Sequence, residues 1–181
     1  MALIQNIDLW AAGYAESIRS VFLTSFFKTV TYLGEWSIVL AVAIIVALVL
    51  ITKGKKVYAL TLALITFLSI GSVFILKYAI QRPRPIDGII DETSFSFPSL
   101  HAVLSVAFYG LIIYFLWERF KSPRFRFFKI LFGLVLVLFI GFSRVYLGVH
   151  YLSDVLGGYL LGLFWLTAGI YASFKSGKAR P

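Results

Sequence analysis

The sequence predicts an all-α, polytopic membrane bundle of five or six transmembrane helices, preceded by an N-terminal amphipathic helix. Composition is the first observation: 60% of the 181 residues are hydrophobic, 18% aromatic and 14% charged. A soluble domain is about a quarter charged and about half apolar, and a disordered chain is far less apolar. The second observation is five apolar stretches close to the roughly 20 residues that cross a bilayer. The third is where the basic residues fall between them. The chain reads as a single membrane-embedded domain, residues 1–181, made of an interfacial helix (1–34) and a helical bundle (35–181).

In residues 1–34, Ile7, Trp10, Tyr14, Ile18 and Val21 recur at spacings of three and four, the stripe of a helix. Asp8, Glu16 and Arg19 fall largely away from it. Three charges inside a span would each be costly, so the segment reads as a helix lying in the interface. A poor first span is the other reading. The opening MALIQNIDLW has no basic start and carries Asp8 early, unlike a cleaved signal peptide.

The five spans are predicted at 36–52, 57–76, 102–117, 127–143 and 155–174. The fourth has Lys129 near its start and draws length from aromatic flanks that suit the interface. The fifth begins with Gly158 and Gly162, whose spacing lets helices approach closely, either inside the bundle or across a dimer.

A formal charge of +9 would suggest nucleic acid in a soluble protein. Here Lys53, Lys55 and Lys56 follow the first span, and Arg119, Lys121, Arg124, Arg126 and Lys129 follow the third. Lys175, Lys178 and Arg180 follow the fifth. These eleven of the 17 Lys and Arg fall on one side of an alternating bundle, and the positive-inside rule makes that side cytoplasmic. The charge is thus a topology signal and implies no nucleic acid. Segments 77–101 and 144–154 fall on the outer side of what reads as an inner, cytoplasmic membrane, facing the periplasm or exterior. With no cysteine, disulfides, thiolate catalysis and cysteine metal sites are excluded.

Those two outer segments hold both histidines of the chain, His101 and His150. Lys77, Arg84 and Arg144 lie with them; guanidinium forks match phosphate oxygens in pairs, and an ammonium adds a point charge. Pro98-Ser99 reads as a helix start, so the amides of Leu100 and His101 would face an anion. His150 and Asp154 are four apart and share a helical face. A carboxylate there fixes the imidazole tautomer and frees the other nitrogen as a nucleophile. His101 is a second imidazole, suited to protonating a leaving oxygen. Taken singly, each residue also has a plain reading: a snorkelling Lys77, a solvated loop at Arg82 and Arg84, a satisfied His–Asp pair. Two histidines and one carboxylate are a thin ligand set, and no metal is expected.

Together these residues resemble the type 2 phosphatidic acid phosphatase superfamily, which includes the vanadium haloperoxidases. Lys77 followed by Arg84-Pro85 matches the family's first motif, and Pro98-Ser99-Leu100-His101 its second in three of four positions. Ser143-Arg144, His150 and Asp154 match the third in full. The departure is Leu100, where the family usually has Gly; a helical residue there would need no positive φ.

The resemblance implies that His150 becomes phosphohistidine, Asp154 orients it and His101 is the general acid. Lys77, Arg84, Ser99, Leu100 and Arg144 would bind the phosphoryl group, and neither metal nor cofactor is needed. It implies a membrane lipid phosphatase acting on the outer face. Phosphatidylglycerol phosphate, phosphatidic acid, undecaprenyl diphosphate and lipid A 1-phosphate all fit that chemistry. The short segment 86–97, with Asp87, Asp91 and Glu92 and no large cap, suggests an open site. A phosphotransferase with the same intermediate, or an inactive relative, uses the same residues. A transporter would carry polar groups through its spans, whereas these spans are nearly uncharged. Oligomeric state has no signature.

Overall fold

The computed structural model describes residues 2–117 and 122–175. Seven helices follow one another: α1 (Ala2–Ser17), α2 (Val21–Tyr32), α3 (Trp36–Thr52), α4 (Lys56–Ile80), α5 (Leu100–Phe115), α6 (Pro123–Tyr146) and α7 (Leu152–Lys175). Among the described residues there is no strand. The five helices α3 to α7 stand where the five spans are predicted. Of these, α4, α6 and α7 are long and apolar enough to cross a membrane alone. Helices α2 and α3 meet the same criterion together but are bent by 46°, and α5 is shorter. Arg119, Lys121, Lys178 and Arg180 lie outside the described residues.

Helix α5 is the axis of the bundle. From His101 to Phe108 every residue is buried, so it shows no one-sided stripe. It packs on α7, α6 and α4. Leu104, Phe108 and Leu111 meet Val39 of α3 and Tyr58, Leu62 and Ile65 of α4 in the main core. Outward residues such as Ile44, Leu60, Phe67, Leu134 and Phe164 are exposed, giving the bundle the apolar jacket that lipid requires. Gly158 and Gly162 face α5: a Cβ on Gly162 would stand 2.7 Å from the Val103 carbonyl oxygen. The small-residue pair therefore serves packing inside the chain.

The N-terminal region corrects the expectation of one continuous helix. It breaks at 18–20, because the Ser20 hydroxyl accepts from the Leu23 amide and starts α2 afresh. The stripe of α1 faces outward, with Ile7, Trp10 and Tyr14 exposed, while Asp8 is buried against the bundle. Phe27 of α2 packs on Tyr146, Leu147 and Val149 at the end of α6.

Both functional segments come to one end. Helix α4 closes on Gln81, in the left-handed region at φ 52°, and Pro83 and Pro85 prevent its resumption. The connection 81–99 is tied back by the Ile89 amide to the Leu147 carbonyl (3.0 Å) and the Ser96 amide to the Arg82 carbonyl (2.9 Å). Gly148, at φ +69°, turns the chain between α6 and α7, where a Cβ would meet the Asp87 carbonyl oxygen at 2.7 Å. The C-termini of α4 and α6 and the N-termini of α3, α5 and α7 thus surround one cavity.

Candidate active site

His150 sits in the connection 147–151, buried at 3% exposure. Its Nδ1 is 3.4 Å from Asp154 Oδ2. That oxygen also accepts from the Tyr151 amide at 2.9 Å, the back-reaching half of a capping box at the start of α7. On the other side, His150 Nε2 is 3.2 Å from Arg84 Nη1. A guanidinium only donates, so Nε2 is the acceptor and Nδ1 carries the hydrogen toward the carboxylate. Burial, reinforced by Arg144, Arg84, Lys77 and His101, holds the His150 pKa well below its ordinary value. The ring is therefore neutral, with a lone pair directed at a cluster of cations.

That cluster lines a cavity of about 230 Å³ with Glu35, Glu92, Leu100 and His101. Arg84 is fixed by Nε donating to the Ser94 carbonyl (2.5 Å) and Nη1 to the Val149 carbonyl (2.8 Å). Burial lowers its pKa, though Glu92 opposes the shift. Arg144 is 2% exposed and donates through Nη1 to Thr31 Oγ1 at 2.8 Å. Lys77, also buried, donates to the Phe95 carbonyl. Glu92 bridges the two guanidiniums, pairing with Arg144 Nη2 and, at 3.4 Å, with Arg84 Nη2. A carboxylate thus occupies a seat shaped for a tetrahedral oxyanion.

Four polar atoms of the site residues have no hydrogen-bond partner among the described residues: Ser99 Oγ, Arg144 Nε, and the His101 Nε2 and His150 Nδ1 that face carboxylates at 3.3 and 3.4 Å. Buried orphans such as the first two call for a ligand. Ser99 is the N-cap of α5, and its own amide donates to the Asp154 carbonyl at 3.1 Å. Leu100 is already helical, so the position needs no left-handed backbone, and its side chain packs on the main core. His101 follows, with Nε2 3.3 Å from Glu35 Oε2. The nearby His101 ring lowers the Glu35 pKa, against the opposing effect of burial. Gly34 allows this approach, since a Cβ there would lie 3.0 Å from His101 Cδ2.

All eight residues singled out in the sequence therefore meet at one end: Lys77, Arg84, Leu100, His101, Arg144 and His150 line the cavity, with Asp154 behind His150 and Ser99 at the helix start. Sequence reasoning passed over Glu35, Thr31 and Ser153, offered only a solvated loop for Arg82, and took Asp8 as a solvated charge of an interfacial helix. It read Glu92 as part of an open rim, yet Glu92 reaches into the cavity. No spacing rule links any of them to the motifs. The group of three or more His, Cys, Asp or Glu that a metal would want is not found among the described residues.

Residues 58–178 match the sequence profile of the PAP2 superfamily. Phosphatidylglycerophosphatase B of Bacillus subtilis (strain 168) is 34% identical over 177 residues, covering 95% of this chain and 87% of that protein. An undecaprenyl-diphosphatase of Sulfolobus acidocaldarius is 29% identical over 126 residues, 65% of this chain and 56% of that one. The crystal structure of a transmembrane PAP2-type phosphatidylglycerolphosphate phosphatase from Bacillus subtilis superposes with a TM-score of 0.90 at 30% identity, covering 99% of this chain and 90% of that one. Aquifex aeolicus LpxE shares the fold, with a TM-score of 0.67 at 20% identity over 90% of this chain and 94% of that one.

Proposed function

The chain belongs to the PAP2 superfamily of membrane lipid phosphatases, and on that premise we propose that it hydrolyses a lipid phosphate monoester of the phosphatidylglycerol phosphate type through a phosphohistidine on His150. The observation that carries the mechanism is the placement of His150 Nε2 between a carboxylate behind the ring and the Arg84 guanidinium in front of it. The substrate class follows the relative that spans nearly the whole chain.

In the first step Nε2 attacks phosphorus and the bond to the lipid oxygen breaks. The departing oxygen takes its proton from the charged form of His101, which Glu35 at 3.3 Å from Nε2 stabilises. Asp154 supports the imidazolium character that develops on His150. In the second step water attacks the phosphohistidine, His101 takes the water's proton, and the N–P bond electrons return to Nε2. Lys77, Arg84, Arg144, Ser99 Oγ and the first amides of α5 hold the phosphoryl oxygens, whose negative charge spreads in the transition state. The positive charge that a metal would supply elsewhere comes from these side chains. The phosphate enters from the outer leaflet, with the acyl tails still in lipid.

The likeness to an undecaprenyl-diphosphatase keeps diphosphate substrates in the test. Purified protein in detergent, with chelator present, is offered phosphatidylglycerol phosphate, phosphatidic acid, undecaprenyl diphosphate and lipid A 1-phosphate. Phosphate release by wild type and its loss in His150→Ala is the expected outcome, with phosphatidylglycerol phosphate turned over best. Release that persists in His150→Ala overturns the mechanism, and release that needs added metal overturns the role given to the cations. Phosphate appearing on an added alcohol rather than in water would make the protein a transferase.

A further inference from the structure

Arg82 belongs to none of the roles above, yet it touches the carboxylate behind the nucleophile. Its Nη1 donates to Asp154 Oδ1 at 2.6 Å and to Ser153 Oγ at 2.7 Å. Its Nη2 donates to Asp8 Oδ2 at 2.8 Å. Asp8 in turn accepts from the Ser153 amide at 2.8 Å and the Ser153 hydroxyl at 2.7 Å, capping the first turn of α7 from another helix. The guanidinium also stands over the Tyr151 ring, 4.3 Å from its centroid. Asp8 and Asp154 are both buried, at 2% and 0% exposure.

The two oxygens of Asp154 are thus divided. Oδ1 belongs to Arg82, while Oδ2 belongs to the Tyr151 amide and faces His150. Rotation of that carboxylate is set by the guanidinium. The guanidinium is set in turn by Asp8, which holds the nitrogen that Asp154 leaves free. An anchor serving only to hold α1 on the bundle would have no reason to include the carboxylate that orients the histidine.

We propose that Arg82 and Asp8 are positioning residues for the His150–Asp154 pair, so that α1 is part of the catalytic apparatus. The inference rests on the reading of His150 as nucleophile. It acts on turnover: the phosphoryl-binding cations are untouched, so substrate affinity stays as it is while the nucleophile loses its orientation.

The test compares full-length wild type with Asp8→Asn, Arg82→Lys, Arg82→Ala, Glu16→Gln and His150→Ala. Each is assayed on phosphatidylglycerol phosphate for kcat and KM, and melted in the same detergent. Glu16 is exposed on α1 and serves as control. Loss of an outer partner of a histidine's carboxylate costs roughly 10- to 100-fold in comparable networks. Arg82→Ala is expected at the upper end in kcat and Asp8→Asn at the lower, with KM within about twofold; Arg82→Lys regains part of the loss by restoring one donor. Glu16→Gln matches wild type.

Should Arg82→Ala fail to fold, Asp8→Asn and Arg82→Lys decide by themselves. Wild-type kcat in those two, with His150→Ala inactive, overturns the inference and leaves the mechanism standing. A raised KM with unchanged kcat, or a fall in melting temperature alone, also overturns it by making the network structural. Activity in His150→Ala removes the mechanism and the inference together.

Discussion

His150 keeps its lone pair because protonation would place another positive charge, out of water, beside Lys77, Arg84 and Arg144. The sign of the resulting pH dependence follows. The folded protein holds this ring neutral below 6.5, the ordinary imidazole value. The acid limb of kcat/KM is therefore expected below pH 6.5, and a pH profile of single-turnover phosphoenzyme formation reads it directly. The unfolded chain takes up the proton that the folded one refuses, so this residue lowers stability as pH falls through 6.5 and has no such effect above it. Glu92 carries a second expectation. Its carboxylate pairs with Arg84 and Arg144, the guanidiniums proposed to hold the phosphate, so Glu92→Gln removes a resident competitor, and inorganic phosphate is expected to inhibit at roughly tenfold lower concentration, about 1.4 kcal/mol. Unchanged inhibition would show that Glu92 leaves the seat without cost. The cations and histidines were legible in the sequence because each motif fixes their order and spacing. Glu92 was not, because the bend of the 81–99 connection, rather than any periodicity, carries it inward.

The five bundle helices were legible as elements, since long apolar runs leave few alternatives in a chain this hydrophobic. The junction at 18–20 was not. Apolar residues at Ile18 and Val21 continue the helical spacing straight across it, and a single serine cap outweighs that pattern. The α5–α7 contact shows the opposite case, where sequence spacing alone left two readings and packing selects one. With the Val103 carbonyl 2.7 Å from where a Cβ would lie, Gly162→Ala forces two backbones apart. Overpacking of this kind costs roughly 1–3 kcal/mol. Gly13, in α1, has nothing within 4 Å of its would-be Cβ. Gly13→Ala is expected to stabilise by about 0.4–1 kcal/mol through the unfolded state. Thermal melts in one detergent compare the two; equal effects would discard the close contact as an energetic feature.

At the scale of the molecule, the site end and the lysine-rich end are opposite. By the positive-inside rule we expect the site on the outer face. Because the chain has no cysteine, single-cysteine variants report on this directly. Ile86→Cys, at a position 98% exposed beside the site, should react with a membrane-impermeant maleimide in intact cells. Lys55→Cys, in the turn between α3 and α4, should react only after permeabilisation; the reverse pattern would invert the topology. What no local pattern revealed is the pairing of Asp8 with Ser153, which are 145 residues apart in the chain. That separation bears on biosynthesis. A ribosome delivers α1 first and α7 last. Until the final span is inserted, Asp8 has no amide to cap, and Asp154 has not yet been made. A chain truncated before α7 would hold every proposed phosphate-binding cation and His150, but not the carboxylate that faces the ring. The join between the earliest and the latest helix is therefore the last part of the network around His150 to form.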